Sequence, residues 1–253
     1  MSELNVDLLK KSFDTDGFVY LPGFIKPNEL ELFKLHLKRF ISEKISGMKK
    51  GHYLYEDNND ASTLKQMQDL EKYDPFFQTL ATGSKFMQLA KQLLEEDVVC
   101  KTVEFFNKPP KIGKPTPPHQ DGYYFMIVPQ QAVTMWLALE DVSEETGCVK
   151  YVKGSQLKGI RNHNRTKTPG FSQGIVDFGT EDDLRNEVSF PVKAGDLLAH
   201  HSLTIHRAGA NTTLNKSRNA LGLIYFGHSV VEDIETKENY AKQLIQEAKI
   251  LNK

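Results

Sequence analysis

The sequence predicts a mainly β fold with flanking α-helices, an antiparallel sandwich or jelly roll, and three observations carry that expectation. From Val98 onward, short β-rich runs are separated by turn residues. No helical stripe intervenes between those runs, and apolar residues at helical spacing are confined to the first third and the end of the chain. With 39% hydrophobic and 26% charged residues in 253, the chain can bury a sizeable core and is neither disordered nor collagen-like.

In chain order, Pro27 suits a first helical turn, and Leu30, Phe33, Leu37, Phe40 and Ile41 form one apolar stripe behind it. The polar stretch 48–62 reads as a loop. Ser84 reads as an N-cap for a second helix through Phe86, Leu89, Ala90, Leu93 and Leu94, which ends at Glu95-Glu96-Asp97. Strands are expected over 98–106, 132–139, 148–152, 188–192, 196–200 and 220–226, with turn chemistry at 144–147 and 193–196. Tyr240, Leu244 and Ala248 predict a closing helix over about 232–251. With no repeat and no linker visible, a single domain over 1–253 is expected, helical to about 97 and β from about 98 to 228.

Lys and Arg number 32 against 33 Asp and Glu, a net charge of -1, so no positive excess exists to neutralise a nucleic acid backbone. Cys100 and Cys148 stand in strand-like apolar runs with no metal-binding spacing and read as buried, reduced thiols. No basic-then-apolar leader and no run of membrane-spanning length is present, so no membrane partner and a cytoplasmic location are expected.

The chemistry concentrates in Pro115-Thr116-Pro117-Pro118-His119-Gln120-Asp121-Gly122-Tyr123-Tyr124-Phe125. In an extended chain His119 and Asp121 share a face, placing an imidazole nitrogen beside a carboxylate oxygen. A further histidine from Thr204-Ile205-His206-Arg207-Ala208-Gly209 would complete a 2-His-1-carboxylate facial triad, which leaves open positions on non-haem Fe(II). His200 and His201 precede His206 in the same run and compete for that place.

Around these residues the chain resembles the phytanoyl-CoA dioxygenase family of Fe(II)- and 2-oxoglutarate-dependent oxygenases. The resemblance runs through Asp16-Gly17-Phe18-Val19, Phe106-Asn107-Lys108-Pro109-Pro110, His119-Gln120-Asp121-Gly122 and Trp136-Leu137-Ala138-Leu139-Glu140-Asp141-Val142 with Glu145-Thr146-Gly147-Cys148. It continues through Lys153-Gly154-Ser155, Gly195-Asp196-Leu197 and His206-Arg207-Ala208-Gly209-Ala210-Asn211, in the family's order across about residues 13–228.

That resemblance implies a double-stranded β-helix, a cupin-like jelly roll, with His119, Asp121 and His206 as metal ligands and catalytic residues. His206 is preferred because it alone precedes the Arg-Ala-Gly-Ala-Asn block, and His201 becomes a supporting or core residue. It also implies Fe(II), 2-oxoglutarate as co-substrate and O2, with ascorbate as an optional reductant. A buried co-substrate carboxylate needs a cation, for which a bidentate guanidinium suits best. Arg218 fits, although it lies one residue further from the distal histidine than family members usually carry it, and Lys216 competes. Ala208 stands where some members supply a hydroxyl to the co-substrate. Trp136 matches an aromatic residue of the co-substrate pocket, and equally suits an ordinary core tryptophan.

Halogenating relatives replace the ligand carboxylate with Ala or Gly, so Asp121 favours hydroxylation of a small-molecule substrate with release of succinate and CO2. The alternative is a metal-binding β-helix with lost or altered catalysis, acting as a sensor or binding module. Segment 157–174 carries Lys158, Arg161, His163, Arg165 and Lys167 with three glycines and a proline, and is expected to be a lid without secondary structure over an anionic substrate. Tyr123, Arg161 and Arg165 are the candidate substrate contacts, with Tyr124 and Phe125 extending an aromatic wall; the oligomeric state is left open.

Overall fold

A computed structural model describes residues 6–168, 170–240 and 242. Two antiparallel sheets form its centre. The larger has seven strands in the order Phe18–Leu21, Leu197–His201, Ala132–Ala138, Arg218–Gly227, Val98–Lys108, Leu64–Met67 and Tyr53–Tyr55. The smaller has four, in the order Glu187–Phe190, Val149–Val152, His206–Ala208 and Thr116–His119. Apart from Leu64–Met67 and Tyr53–Tyr55, neighbours in these lists are distant in sequence, as a jelly roll requires.

The period of two along each strand sorts side chains to opposite faces. On Ala132–Ala138, Val133, Met135 and Leu137 face one way, together with Val103 and Phe105, Leu221, Leu223 and Tyr225, Leu197 and Ala199. The helices Pro27–Glu43, Pro75–Ala81 and Lys85–Leu94 cover that face with Phe33, Phe40, Phe77, Phe86 and Leu93, forming the main core. The alternate residues, Trp136 and Ala138, Leu198 and Ala220, face the smaller sheet and meet Val149 and Tyr151 there.

At the sheet edge, Phe18–Leu21 pairs with Leu197–His201. The Gly17 carbonyl accepts from His201 N at 2.9 Å and from the Thr204 hydroxyl at 2.7 Å. Gly17 takes φ +87°, and a Cβ there would stand 2.3 Å from Gln156 Oε1, so the close approach requires glycine.

The six expected strands all form, with ends shifted by a residue or two. Elements without a stripe of their own differ. Tyr53–Tyr55 lies inside the stretch expected as a loop and adds to the sheet through Leu64–Met67. Segment 157–174, expected without secondary structure, contains a hairpin of His163–Thr168 and Phe171–Ile175. Glu181–Asn186 is helical in a region expected to be free of helix; it is too short for an apolar stripe and is held by a capping box of Thr180 and Asp183. The Ser84 hydroxyl donates to Leu80 O at 2.7 Å instead of capping the helix it precedes. Cys148 is buried and Cys100 half-buried, both free thiols. Of the expected closing helix, residues 234–240 are helical, while 241 and 243–253 lie outside the described residues. No helix among the described residues is long and apolar enough to cross a membrane.

Candidate active site

His119 ends the strand Thr116–His119, Gln120 is still extended, and Asp121 opens the single-turn helix Asp121–Phe125. The turn is anchored by Gly122 N donating to Ser202 O at 2.8 Å. His206 opens the strand His206–Ala208 directly opposite His119, which brings the two ring centroids to 4.1 Å. One ligand atom from each of His119, Asp121 and His206 lies within 4.8 Å of the others.

His119 Nδ1 lies 2.8 Å from Pro117 O and His206 Nδ1 3.0 Å from Thr204 O. A carbonyl can only accept, so both Nδ1 atoms carry the proton and both Nε2 lone pairs face inward. Those Nε2 atoms stand 3.5 and 3.6 Å from Asp121 Oδ1. Burial, with His119 and His200 nearby, pushes His206 well below the ordinary histidine range, so it is neutral and ready to coordinate. Burial opposes the charge on Asp121, but its hydrogen-bonded surroundings, with His200 among them, hold its carboxyl well below the usual carboxylate range.

The second oxygen of Asp121 is engaged differently. Thr134 Oγ1 donates to Oδ2 at 2.6 Å, and His200 Nε2 lies 3.1 Å from the same atom. Behind it, the fully buried Tyr151 hydroxyl sits 2.9 Å from His200 Nδ1. With Tyr151 donating to Nδ1, the proton of His200 is on Nε2 and points to Asp121. Oδ2 is thus fixed by two donors, and Oδ1 is left to face the two ligand histidines. His201, on the opposite face of its strand, lies 5.8 Å from the Phe13 ring and accepts from Leu203 N at 3.1 Å.

These groups line one cavity of about 220 Å³ between the two sheets, walled by Phe106, Trp136, Tyr124, Phe125 and Ile224. Arg218 enters it buried, its guanidinium carbon 5.3 Å from the Trp136 ring and its Nε without a hydrogen-bond partner. No described carboxylate pairs with Arg218. Lys108 stands opposite it in register, and burial, aided by Arg218 and Lys65, pushes the Lys108 ammonium down to about 6. Burial likewise brings Arg218 down to about 10. A positive charge so desolvated and unpaired is matched to an incoming anion. Lys216 is exposed.

Sequence reasoning named Tyr123, Arg161 and Arg165 as substrate contacts, and the described residues lining the cavity include none of the three. Tyr123 stacks on His163 at 4.2 Å. Arg161 pairs with Asp177 at 2.8 Å and Asp183 at 2.7 Å, and Arg165 lies 5.8 Å from the Tyr240 ring. Conversely, sequence reasoning weighs His200 only as a rival ligand and gives Thr134, Tyr151, Lys108 and Glu104 no role. The alternation that puts Trp136 inward also puts Thr134 there, and Phe106 carries Glu104 and Lys108 with it. Burial pushes the Glu104 carboxyl up to about 8.

Comparison with known proteins gives the family and the fold. Residues 13–220 match the family Phytanoyl-CoA dioxygenase (PhyH). Phytanoyl-CoA dioxygenase domain-containing protein 1 of Danio rerio is 34% identical over 149 residues, covering 57% of this chain and 50% of that protein, so the match spans about half of the relative's length. The peroxisomal phytanoyl-CoA dioxygenase of Mus musculus is 23% identical over 261 residues, covering 94% of this chain and 74% of its own. Among solved structures, the epimerase SnoN in complex with Fe3+, alpha ketoglutarate and nogalamycin RO shares the fold at a TM-score of 0.70 and 24% identity, over 90% of this chain and 85% of that one. The chain belongs to the phytanoyl-CoA dioxygenase family of Fe(II)- and 2-oxoglutarate-dependent oxygenases.

Proposed function

We propose that the protein hydroxylates a small-molecule substrate, consuming 2-oxoglutarate and O2 and releasing succinate and CO2. One observation carries the reading: two Nε2 lone pairs and one carboxylate oxygen converge in the same cavity as a buried arginine that no described carboxylate pairs with. His119, Asp121 and His206 would hold Fe(II), and the donor set fits, since both imidazoles are already in the ligating tautomer. When bound, the metal supplies the redox chemistry that couples decarboxylation of 2-oxoglutarate to insertion of one oxygen atom into a C–H bond.

The chain's own contributions are binding and orientation. Arg218, braced by Trp136 and with Lys108 opposite, takes the distal carboxylate of 2-oxoglutarate. Thr134 and His200 keep the Asp121 carboxylate from rotating. Phe106, Tyr124 and Phe125 keep water from the reacting C–H bond.

The test is succinate release from 2-oxoglutarate by the Fe(II)-loaded chain, with mass spectrometry of candidate substrates for a gain of one oxygen. Ala at His119, Asp121 or His206 should each abolish release, whereas His201→Ala should not. Arg218→Ala should raise the apparent KM for 2-oxoglutarate by the equivalent of about 2–5 kcal/mol, as for truncating one side of a buried charge pair, with Lys216→Ala nearly silent. Metal binding without succinate would instead support the sensor or binding module. Succinate with a product of unchanged mass would favour an epimerisation over hydroxylation.

A further inference from the structure

We propose that the substrate carries an ammonium group, which pairs with the Glu104 carboxylate and donates to Gln66 Oε1 while its apolar body lies along Phe106, Phe125 and Ile224. The proposal rests on the reading of this cavity as the oxygenase active site.

Glu104 and Gln66 are only 8% and 5% exposed, and both line the cavity. Gln66 Nε2 donates to Glu104 Oε2 at 3.2 Å, which leaves the amide oxygen, buried and without any hydrogen-bond partner, beside the carboxyl. No described lysine, arginine or histidine forms an ion pair with Glu104, and the charges that act on it, Asp121, Asp69 and Glu71, are negative like its own. A hydrogen-bond donor and a positive charge are therefore missing at the same place. An unpartnered buried acceptor is costly, and with no cation beside it Glu104 is kept largely protonated by burial, so an ammonium that satisfies Gln66 Oε1 also stabilises the ionised form of Glu104 and would be held as an ion pair.

The cavity is polarised along its large sheet. Glu104, Phe106 and Lys108 are alternate residues of one strand, which sets Glu104 roughly 13 Å from Lys108 at the usual rise per residue. Arg218 is in register with Lys108, and Gly222 with Glu104. A Cβ at Gly222 would come within 2.6 Å of the Phe106 ring, so the bare glycine lets that ring lie on the strand between the two ends. The Arg218 end suits the 2-oxoglutarate dianion, and the Glu104 end, separated from it by an apolar ring, is left for a cation. The cationic side chain at Arg161 that had suggested an anionic substrate is already balanced by Asp177 and Asp183.

Three isosteric probes test the assignment on the full chain, without iron or 2-oxoglutarate: hexylammonium, 1-hexanol and hexanoate, titrated and followed by protein NMR. Hexylammonium should bind at least tenfold more tightly than either of the others. That preference should fall to within about twofold in Glu104→Gln, and Gln66→Leu should weaken hexylammonium while leaving 1-hexanol unchanged. Equal affinity for the three probes in the unaltered chain, or a preference that survives in Glu104→Gln, would overturn the proposal. Should Glu104→Gln not fold, as judged by circular dichroism, the probe series and Gln66→Leu decide it alone. Because the titrations need no turnover, amine selectivity without succinate release would sink only the oxygenase reading, and succinate release without amine selectivity would sink only this one.

Discussion

At the scale of single residues, Asp121 is a carboxylate with two unlike oxygens. Oδ2 is held by Thr134 and His200, and Oδ1 looks toward the Nε2 atoms of His119 and His206. Partners that orient a ligand from behind typically set its affinity by a factor of about 10–100. His200→Phe should accordingly weaken Mn(II) binding about 10- to 100-fold by isothermal titration calorimetry, with Tyr151→Phe showing a smaller loss through His200. Unchanged affinity in both variants would show that the hydrogen bonds to Oδ2 are incidental. His201, next in sequence, has a different physics: burial pushes it down to about 4, so it stays neutral when the unfolded chain would protonate it near 6.5. Its contribution is fully present above about pH 6.5 and is lost as pH falls toward 4. Urea denaturation should show the unaltered chain losing on the order of 1–2 kcal/mol more than His201→Phe between pH 7 and pH 5.

Among the elements, the hairpin of His163–Thr168 and Phe171–Ile175 is tied down rather than free. The Tyr124 hydroxyl donates to Gln173 O at 2.7 Å and accepts from Gln173 N at 3.0 Å, so the hairpin is bonded to the helix that carries Asp121. At its base Arg161 N donates to Gln120 Oε1 at 2.8 Å, and the Arg161 guanidinium bridges Asp177 and the buried Asp183. Arg161→Ala should therefore destabilise the fold by about 1–3 kcal/mol, the cost of leaving a buried carboxylate short of its donor, and thermal melts should reveal it. A large rise in substrate KM with an unchanged melting temperature would restore Arg161 as a substrate contact. The composition of this segment could not foretell the hairpin, because polar residues with scattered glycines carry no alternation to read. The long helices were legible for the opposite reason: Phe33, Leu37 and Phe40 repeat at the helical period, and all are buried.

For the whole molecule, the large sheet separates stability from chemistry by parity. Odd-numbered residues of Ala132–Ala138 pack under the helices, and the even-numbered ones take the other face, where Thr134 and Trp136 line the cavity. Met135→Ala should cost about 2–5 kcal/mol of stability, as for a large core residue, while the folded fraction keeps its turnover. Thr134→Val, one residue away, should leave the melting temperature within about a degree or two and reduce metal affinity instead. Similar effects from both would mean that the two faces are not independent. The strands and the ligand pair were legible in the sequence because apolar runs and His119-Gln120-Asp121 are local. His206 was legible through the Arg-Ala-Gly-Ala-Asn block that follows it, but the part played by His200 was not, because Leu197, Leu198 and Ala199 are apolar on both faces and give no sign of which parity points inward. Glu104 was hidden likewise, as one of three charged residues, with Lys101 and Lys108, in a strand where nothing in the sequence marks which face each takes.

The pairing of Phe18–Leu21 with Leu197–His201 has a consequence for how the chain behaves in company. Register sets Phe18 opposite His200, so the segment that seals this margin of the sheet also covers the backbone carrying the donor to Asp121. Without residues 1–21, the strand Leu197–His201 would present a row of unsatisfied amides and carbonyls flanked by apolar side chains, a template on which a second chain can add its own strand. Self-association and loss of the metal pocket would then arrive together, from one cut some 180 residues before the histidines it disturbs.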